Sequence, residues 1–134
     1  MVFVDSGAFL ARYLARDQHH ANAVTAFQKL AGTPLVTSNL VLNETATLLA
    51  RRAGHAFAAD RLENIFASKT IEVLYGTRTD EIEALRWFRK FSDQKVSFTD
   101  CVSFVLMKRL GISAAFTFDE DFVRAGFRAV PGGD

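Results

Sequence analysis

Short apolar runs alternate with longer amphipathic ones along nearly the whole chain. Val2-Phe3-Val4 is a compact apolar run that stops at Asp5 and reads as a strand. From Ser6 to Arg16, Phe9, Leu10, Tyr13 and Leu14 recur at helical spacing. A second helix is predicted from His19 to Leu30, with Ala23, Phe27 and Leu30 facing inward and Gly32 and Pro34 ending it. Leu35-Val36-Thr37 predicts the next strand, and Ser38 or Asn39 caps a helix reaching Ala53. Gly54 breaks that helix, and another follows from His55 to Ser68. Ile71 to Leu74 is a third strand closed by Gly76. Thr79 to Phe91 is a helix with Ile82, Leu85, Trp87 and Phe88. Ser97 opens a helix that ends near Gly111, and Ala114 to Thr117 makes a fourth strand. A helical turn from Asp119 to Val123 and a short edge strand from Phe127 to Val130 follow, with Pro131-Gly132-Gly133 as a frayed tail.

Strands separated by helices imply crossover connections. The expected fold class is α/β: a single three-layer domain over residues 1–134, with a central parallel sheet of four to five strands and helices on both faces. The strands show few alternating polar positions, as expected when both faces are covered. In such sheets, ligands bind at the carboxyl ends of the strands. Thirteen phenylalanines supply a large buried payload for a chain of 134 residues. Sixteen basic and 15 acidic residues give a net charge of +1, which excludes nucleic-acid affinity from bulk charge but leaves room for a local basic rim. One cysteine, Cys101, excludes an internal disulfide and a cysteine-rich zinc site. With no basic leader before the opening apolar run and no membrane-length apolar stretch, a soluble cytoplasmic protein is expected.

Candidate chemistry lies in the acids. Asp5 ends the first strand and Asp119 follows the fourth, so both should reach one sheet edge. Asp100 lies in the first turn of the helix opened by Ser97, and Glu44 near the start of the helix after the second strand. Each has a plainer role. Asp5 can cap the first helix, Ser97 to Asp100 fits a capping box, and Asp119 to Asp121 favours a helix N-terminus. Glu44 fits such a role least, because it sits between Leu40 and Leu48 on an apolar stripe with no basic residue within a turn. Crowded carboxylates raise one another's pKa and destabilise the fold. A hard divalent cation with oxygen ligands reverses that penalty, and Mg2+ suits a few carboxylates plus a substrate phosphate. His19, His20 and His55 lack zinc-ligand spacing and are expected to be solvated. Ser6, Thr99 and Thr117 adjoin the acids and would orient a carboxylate or a bound water.

At Val2-Phe3-Val4-Asp5-Ser6, Asn43-Glu44-Thr45, Ser97-Phe98-Thr99-Asp100-Cys101 and Phe116 to Phe122, the sequence resembles the PIN-domain nucleases, most of all bacterial VapC-type toxins. The resemblance spans nearly the whole chain, in the family's order. It implies a five-stranded parallel sheet, Mg2+- or Mn2+-dependent endoribonuclease activity leaving 5′-phosphate and 3′-hydroxyl ends, an antitoxin partner and frequent homodimerisation. Carried over, Asp5, Glu44, Asp100 and Asp119 look like the metal-binding acids and Asp121 like an accessory acid, either of the last two taking the fourth position. Cys101-Val102-Ser103-Phe104 departs from the small residues that often follow the third acid, which leaves the RNA target open.

An acidic site needs positive charge to receive a phosphate backbone. Arg12, Arg16 and Arg86 are the first rim candidates, with Arg12 and Arg16 expected on one helix face. Arg51, Arg52, Arg89 and Lys90 follow, although solvated helix faces explain most of them. Single-stranded RNA is the expected substrate, since its backbone bends into a narrow cleft. Phe88, Phe91, Phe98, Phe104, Phe116 and Phe118 are expected in the core. Core packing is also expected for Phe9, Phe27 and Phe57, with an apolar groove for an antitoxin peptide as the alternative. Cys101 lacks a histidine to activate it and reads as a buried structural thiol. A haloacid-dehalogenase-type phosphotransferase would need a second Asp at Gly7, and a receiver domain an Asp in Leu74-Tyr75-Gly76. A non-catalytic PIN-like module for RNA binding or dimerisation is the remaining alternative.

Overall fold

The computed structural model describes residues 1–132. Five strands, β1 (Val2–Val4), β2 (Leu35–Ser38), β3 (Ile71–Leu74), β4 (Ala114–Phe116) and β5 (Arg128–Val130), form one sheet in the order β3-β2-β1-β4-β5. Every pairing is parallel, with Val2 opposite both Leu35 and Ala114. The connections are α1 (Ser6–Tyr13) and α2 (His20–Lys29), then α3 (Asn39–Ala53) and α4 (His55–Ala67). After β3 come α5 (Arg78–Lys90), a 3-10 turn at Ser92–Gln94 and α6 (Phe98–Arg109), and α7 (Asp121–Arg124) joins β4 to β5. The chain winds outward from β1 through β2 to β3, then returns to the other side of β1. Right-handed crossovers in the two directions place α1–α4 on one face and α5–α6 on the other. The reversal makes a switch point between β1 and β4, where a crevice opens at the carboxyl edge.

Each face has its own aromatic packing. Phe27 meets Phe9 at 6.3 Å and Phe116 at 4.5 Å between ring centroids. On the other face Phe104 is fully buried, with Trp87, Phe122 and Phe127 within 5.8 Å of its ring. Cys101 to Met107 are all buried, so α6 is covered on every side and its first turn is rigidly placed. Helix boundaries depart from the sequence pattern in informative ways. α1 ends at Tyr13 because Leu14 turns extended, leaving Arg16 outside the helix and off any face shared with Arg12. α5 starts one residue early at Arg78, on a reciprocal box in which Thr77 accepts from the Asp80 N–H and Asp80 accepts from the Thr77 N–H. The inward stripe of α5 is Asp80, Ala84 and Trp87, so Ile82, Leu85 and Phe88 face solvent; Phe88 is 44% exposed and is not core. The expected tail starts at Pro131 in a bend, and Gly133 lies outside the described residues.

Phe104 joins α5, α6, α7 and the residue leading into β5 through one ring. Phe104→Ala is expected to cost about 3–5 kcal/mol, because the surrounding rings cannot collapse into the space. Urea denaturation followed by circular dichroism checks this: the midpoint should fall while the slope stays constant.

Candidate active site

β1 and β4 end side by side at the switch point, and the carboxylates converge there. The Asp5 N–H donates to the Phe116 carbonyl at 3.0 Å, which fixes the end of β1 against the end of β4. Asp5 occupies the N-cap position of α1, yet its side chain makes no capping hydrogen bond. Its Oδ2 instead accepts from Thr117 Oγ1 at 3.0 Å, and its Oδ1 is buried with no partner. Asp100 enters from α6. Ser97 caps that helix by accepting from the Asp100 N–H, and the Asp100 side chain lines the cavity. Asp119 is held by its own N–H, which donates to Thr117 Oγ1 at 3.0 Å. Thr117 thus ties the first and last acids together. One oxygen each from Asp5, Asp100 and Asp119 lies within 4.8 Å of the other two.

The remaining predicted acids are placed differently. Glu44 is half-buried on α3 and accepts a hydrogen bond from Ser6 Oγ; it lines the same cavity but is not one of the three converging acids. Asp121 also lines the cavity, where Arg124 Nη1 donates to it at 2.7 Å, and its N–H donates to Asp119 Oδ1 at 2.9 Å. Asp119 therefore joins the cluster while Asp121 is neutralised and braces it. Ser6 and Thr117 contact the acids as expected. Thr99 makes no side-chain hydrogen bond to an acid: it lines a neighbouring hollow that Glu44 also borders, with Asn43 and Arg51, and its carbonyl accepts from Ser103.

The rim differs more. Arg12 lies over the Phe27 ring at 4.3 Å, in a separate cavity of about 680 Å³ beside the starts of β2 and β3. Arg16 lines a small hollow with Arg52, and Arg86 is an exposed partner of Glu83. Lys90 lies over Trp87. The acidic cavity, of about 720 Å³, is lined by Lys95, Arg124 and Gln94. Lys95 has the left-handed backbone (φ 56°) that few non-glycine residues adopt. His19 and Phe118, both half-buried, line this cavity too; His20 is also half-buried, its Nδ1 2.7 Å from the Ala11 carbonyl, while His55 is exposed as expected. No run of residues announces these contacts, because they depend on how the α1–α2 turn and the segment before Ser97 fold over the sheet edge.

Burial and neighbouring charge act in the same direction on the cluster. Burial, then Asp100, pushes Asp5 up to about 8. Burial, then Asp119 and Glu44, pushes Asp100 up to about 7, and burial raises Asp119 as well. Burial and Asp100 push the Cys101 thiol up to about 11, so it stays protonated and inert. The orphaned Asp5 oxygen and the oxygen-only donor set fit a hard divalent cation.

Raised carboxyl pKa values mean that the folded state keeps protons that the unfolded chain releases near 3.8. Their stabilising effect is complete below that value and lost as pH rises through about 7 and 8. In chelator, Asp5→Asn and Asp100→Asn should therefore melt higher than wild type at pH 8 and close to it at pH 4. Adding Mg2+ or Mn2+ at pH 8 should raise the melting temperature of wild type only. Equal wild-type and variant melting across this range would contradict the electrostatic account.

Comparison with known proteins agrees with the fold. A family profile described as "PIN domain" matches residues 2–128. The chain is 40% identical over 129 residues to the 23S rRNA-specific endonuclease VapC20 of Mycobacterium tuberculosis, covering 95% of each chain. It is 30% identical over 125 residues to a VapC ribonuclease of Archaeoglobus fulgidus, covering 89% of this chain and 77% of that one. The crystal structure of M. tuberculosis VapC20, a sarcin–ricin loop cleaving toxin, superposes with a TM-score of 0.84 at 35% identity over 95% of this chain and 96% of that one. The chain thus belongs to the PIN-domain family.

Proposed function

We propose that this chain is one PIN-like domain acting as a divalent-cation-dependent endoribonuclease, the toxin of a toxin–antitoxin pair. The observation that carries the reading is the meeting of one oxygen each from Asp5, Asp100 and Asp119 within 4.8 Å, beside an Asp5 oxygen that is buried without a partner. These three acids would hold Mg2+ or Mn2+, which when bound stabilises negative charge on the reacting phosphate and makes water a better nucleophile. Glu44, oriented by Ser6, accepts a hydrogen bond from the attacking water and so sets its line of approach. Thr117 keeps Asp5 and Asp119 in register. Lys95 draws the phosphate into an otherwise anionic cavity, the role that the sequence pattern offered to Arg12, Arg16 and Arg86. Water adds at phosphorus, the bond to the 3′ oxygen breaks, and the products carry 5′-phosphate and 3′-hydroxyl ends.

The RNA loop cleaved by the M. tuberculosis relative is the first substrate to test on this chain. Asp5→Asn and Asp100→Asn should each lower cleavage about 100-fold or more, as expected when several kcal/mol of charge stabilisation are lost. Wild type should be silent in chelator and recover with Mg2+ or Mn2+, and isothermal titration should show cation binding that both substitutions weaken. Cation binding without RNA cleavage would favour the non-catalytic module.

Two partners complete the proposal. The cavity beside the starts of β2 and β3, where Phe27 and Tyr13 lie among Arg12, Arg61 and Asn64, offers an antitoxin segment a seat of mixed apolar and basic character away from the acids. On the opposite face, Ile82, Leu85 and Phe88 are 50%, 39% and 44% exposed, and Phe88 packs edge-on against Phe98 at 5.7 Å. That apolar face, flanked by Arg78 and Glu81, suits a second copy of the chain, since the two charges can pair reciprocally about a twofold axis. Light scattering after gel filtration should give twice the chain mass for wild type and the single-chain mass for Phe88→Glu, with the circular dichroism spectrum unchanged.

A further inference from the structure

Beside the acids, the cavity holds a feature that the proposed hydrolysis does not use. The His19 and Phe118 rings lie parallel, with centroids 4.4 Å apart and planes within 1°. They come from remote segments, His19 from the turn before α2 and Phe118 from the loop between β4 and α7, and both line the acidic cavity. The stack is anchored. Phe116, fully buried, meets Phe118 edge-on at 6.1 Å, and the His19 N–H donates to Asp17 Oδ1 at 2.8 Å. Both rings are half-buried, and among the described residues no other aromatic ring stacks on the imidazole. The result is a flat surface at the edge of a cavity whose other groups are mostly charged or polar.

We propose that the His19–Phe118 pair is a stacking platform for an unpaired base next to the scissile phosphate. The proposal rests on the RNA-cleaving reading and adds which side chains hold a base, one that is unpaired or turned outward from a loop. Carboxylates and Lys95 recognise charge alone, whereas every base presents a π-face to an aromatic plane. Phe118 directly precedes Asp119 and the rings line the same cavity as the acids, so a nucleotide with its phosphate at the acids can bring its own or a neighbouring base to the rings. A base inside a duplex is stacked on both sides and cannot reach the platform without leaving its partner.

The test uses a looped RNA cleaved by wild type, with a single abasic nucleotide placed on either side of the cut. Wild type should lose about 5- to 100-fold in kcat/KM for one of these positions, the range for one base on an aromatic ring. His19→Leu and Phe118→Leu should lose a similar factor on intact RNA and little more on that abasic RNA. His19→Tyr and Phe118→Tyr should keep most of the activity and the abasic penalty. If the leucine variants lose the same factor on intact and abasic RNA, the rings are structural and the platform is wrong. Wild-type cleavage indifferent to both abasic positions also overturns the platform while leaving the nuclease reading intact; no wild-type cleavage of any RNA overturns both. Should Phe118→Leu fail to melt cooperatively, the His19 variants, outside the sheet and its buried rings, decide the matter alone.

Discussion

Three carboxylates crowd one partly buried corner of the sheet edge, and the site follows from the cost of that arrangement. Two unit negative charges about 5 Å apart repel by roughly 3 kcal/mol at an effective dielectric constant near 20. Three such pairs would cost about 10 kcal/mol, comparable with the whole net stability of an ordinary domain. The chain therefore cannot keep Asp5, Asp100 and Asp119 all ionised without a counter-charge. Protons supply it in the metal-free protein, which is why burial and mutual repulsion raise Asp5 to about 8 and Asp100 to about 7. A divalent cation would supply it at neutral pH without giving up the negative oxygens.

Asp80 provides the internal control. It is as buried as Asp5, each 4% exposed, yet its acidity moves the other way. Burial opposes ionisation in both. At Asp80 the Thr77 N–H and the bidentate Arg109 guanidinium, at 3.0 and 2.9 Å, outweigh burial and hold the carboxyl below its ordinary value. That acid pins α5 to α6, so its charge is spent within the chain. Asp121 is similarly answered by Arg124. Among the described residues no cation forms an ion pair with Asp5, Asp100 or Asp119, and the partnerless Asp5 oxygen marks the difference at one atom. Burial alone does not distinguish a structural acid from a functional one; the presence or absence of an internal cation does.

The same distinction explains how much could be read along the chain. Asp5 and Asp119 were legible because strand ends fix where a side chain arrives. Glu44 was legible because an acid on an apolar stripe demands an explanation, which Ser6 partly supplies. Strand order was not legible, and with it the fact that β1 and β4 are neighbours. The stripe Ile82, Leu85, Phe88 misled for a physical reason. α5 has apolar residues on two faces, and the Asp80–Arg109 pair together with the packing of Trp87 on Phe104 holds the Ala84 and Trp87 face inward. Arg12 and Arg16 misled because helical spacing was extended past Leu14, where the backbone leaves the helix. Lys95 and His19 were missed because their relevance depends on backbone turns rather than periodicity.

Chemistry and recognition make separate demands on such a cavity. Contacts to phosphates hold a nucleic acid in place but carry no sequence information, which has to come from the bases. The acids, Lys95 and Arg124 interact through charge, so by themselves they would accept any flexible phosphodiester that reaches the sheet edge. Discrimination then falls to groups at the mouth that can meet a base, and the His19–Phe118 stack is an aromatic surface among the residues lining it. Its construction suits that division. Phe118 follows directly from β4 and is braced by Phe116, so it shares the rigidity of the acids, whereas His19 belongs to the α1–α2 turn outside the sheet. Substitution in that turn can alter which base is accepted while β1, β4 and α6 keep the carboxylates in place. One anionic cluster can thereby serve different RNA targets through a change at its rim.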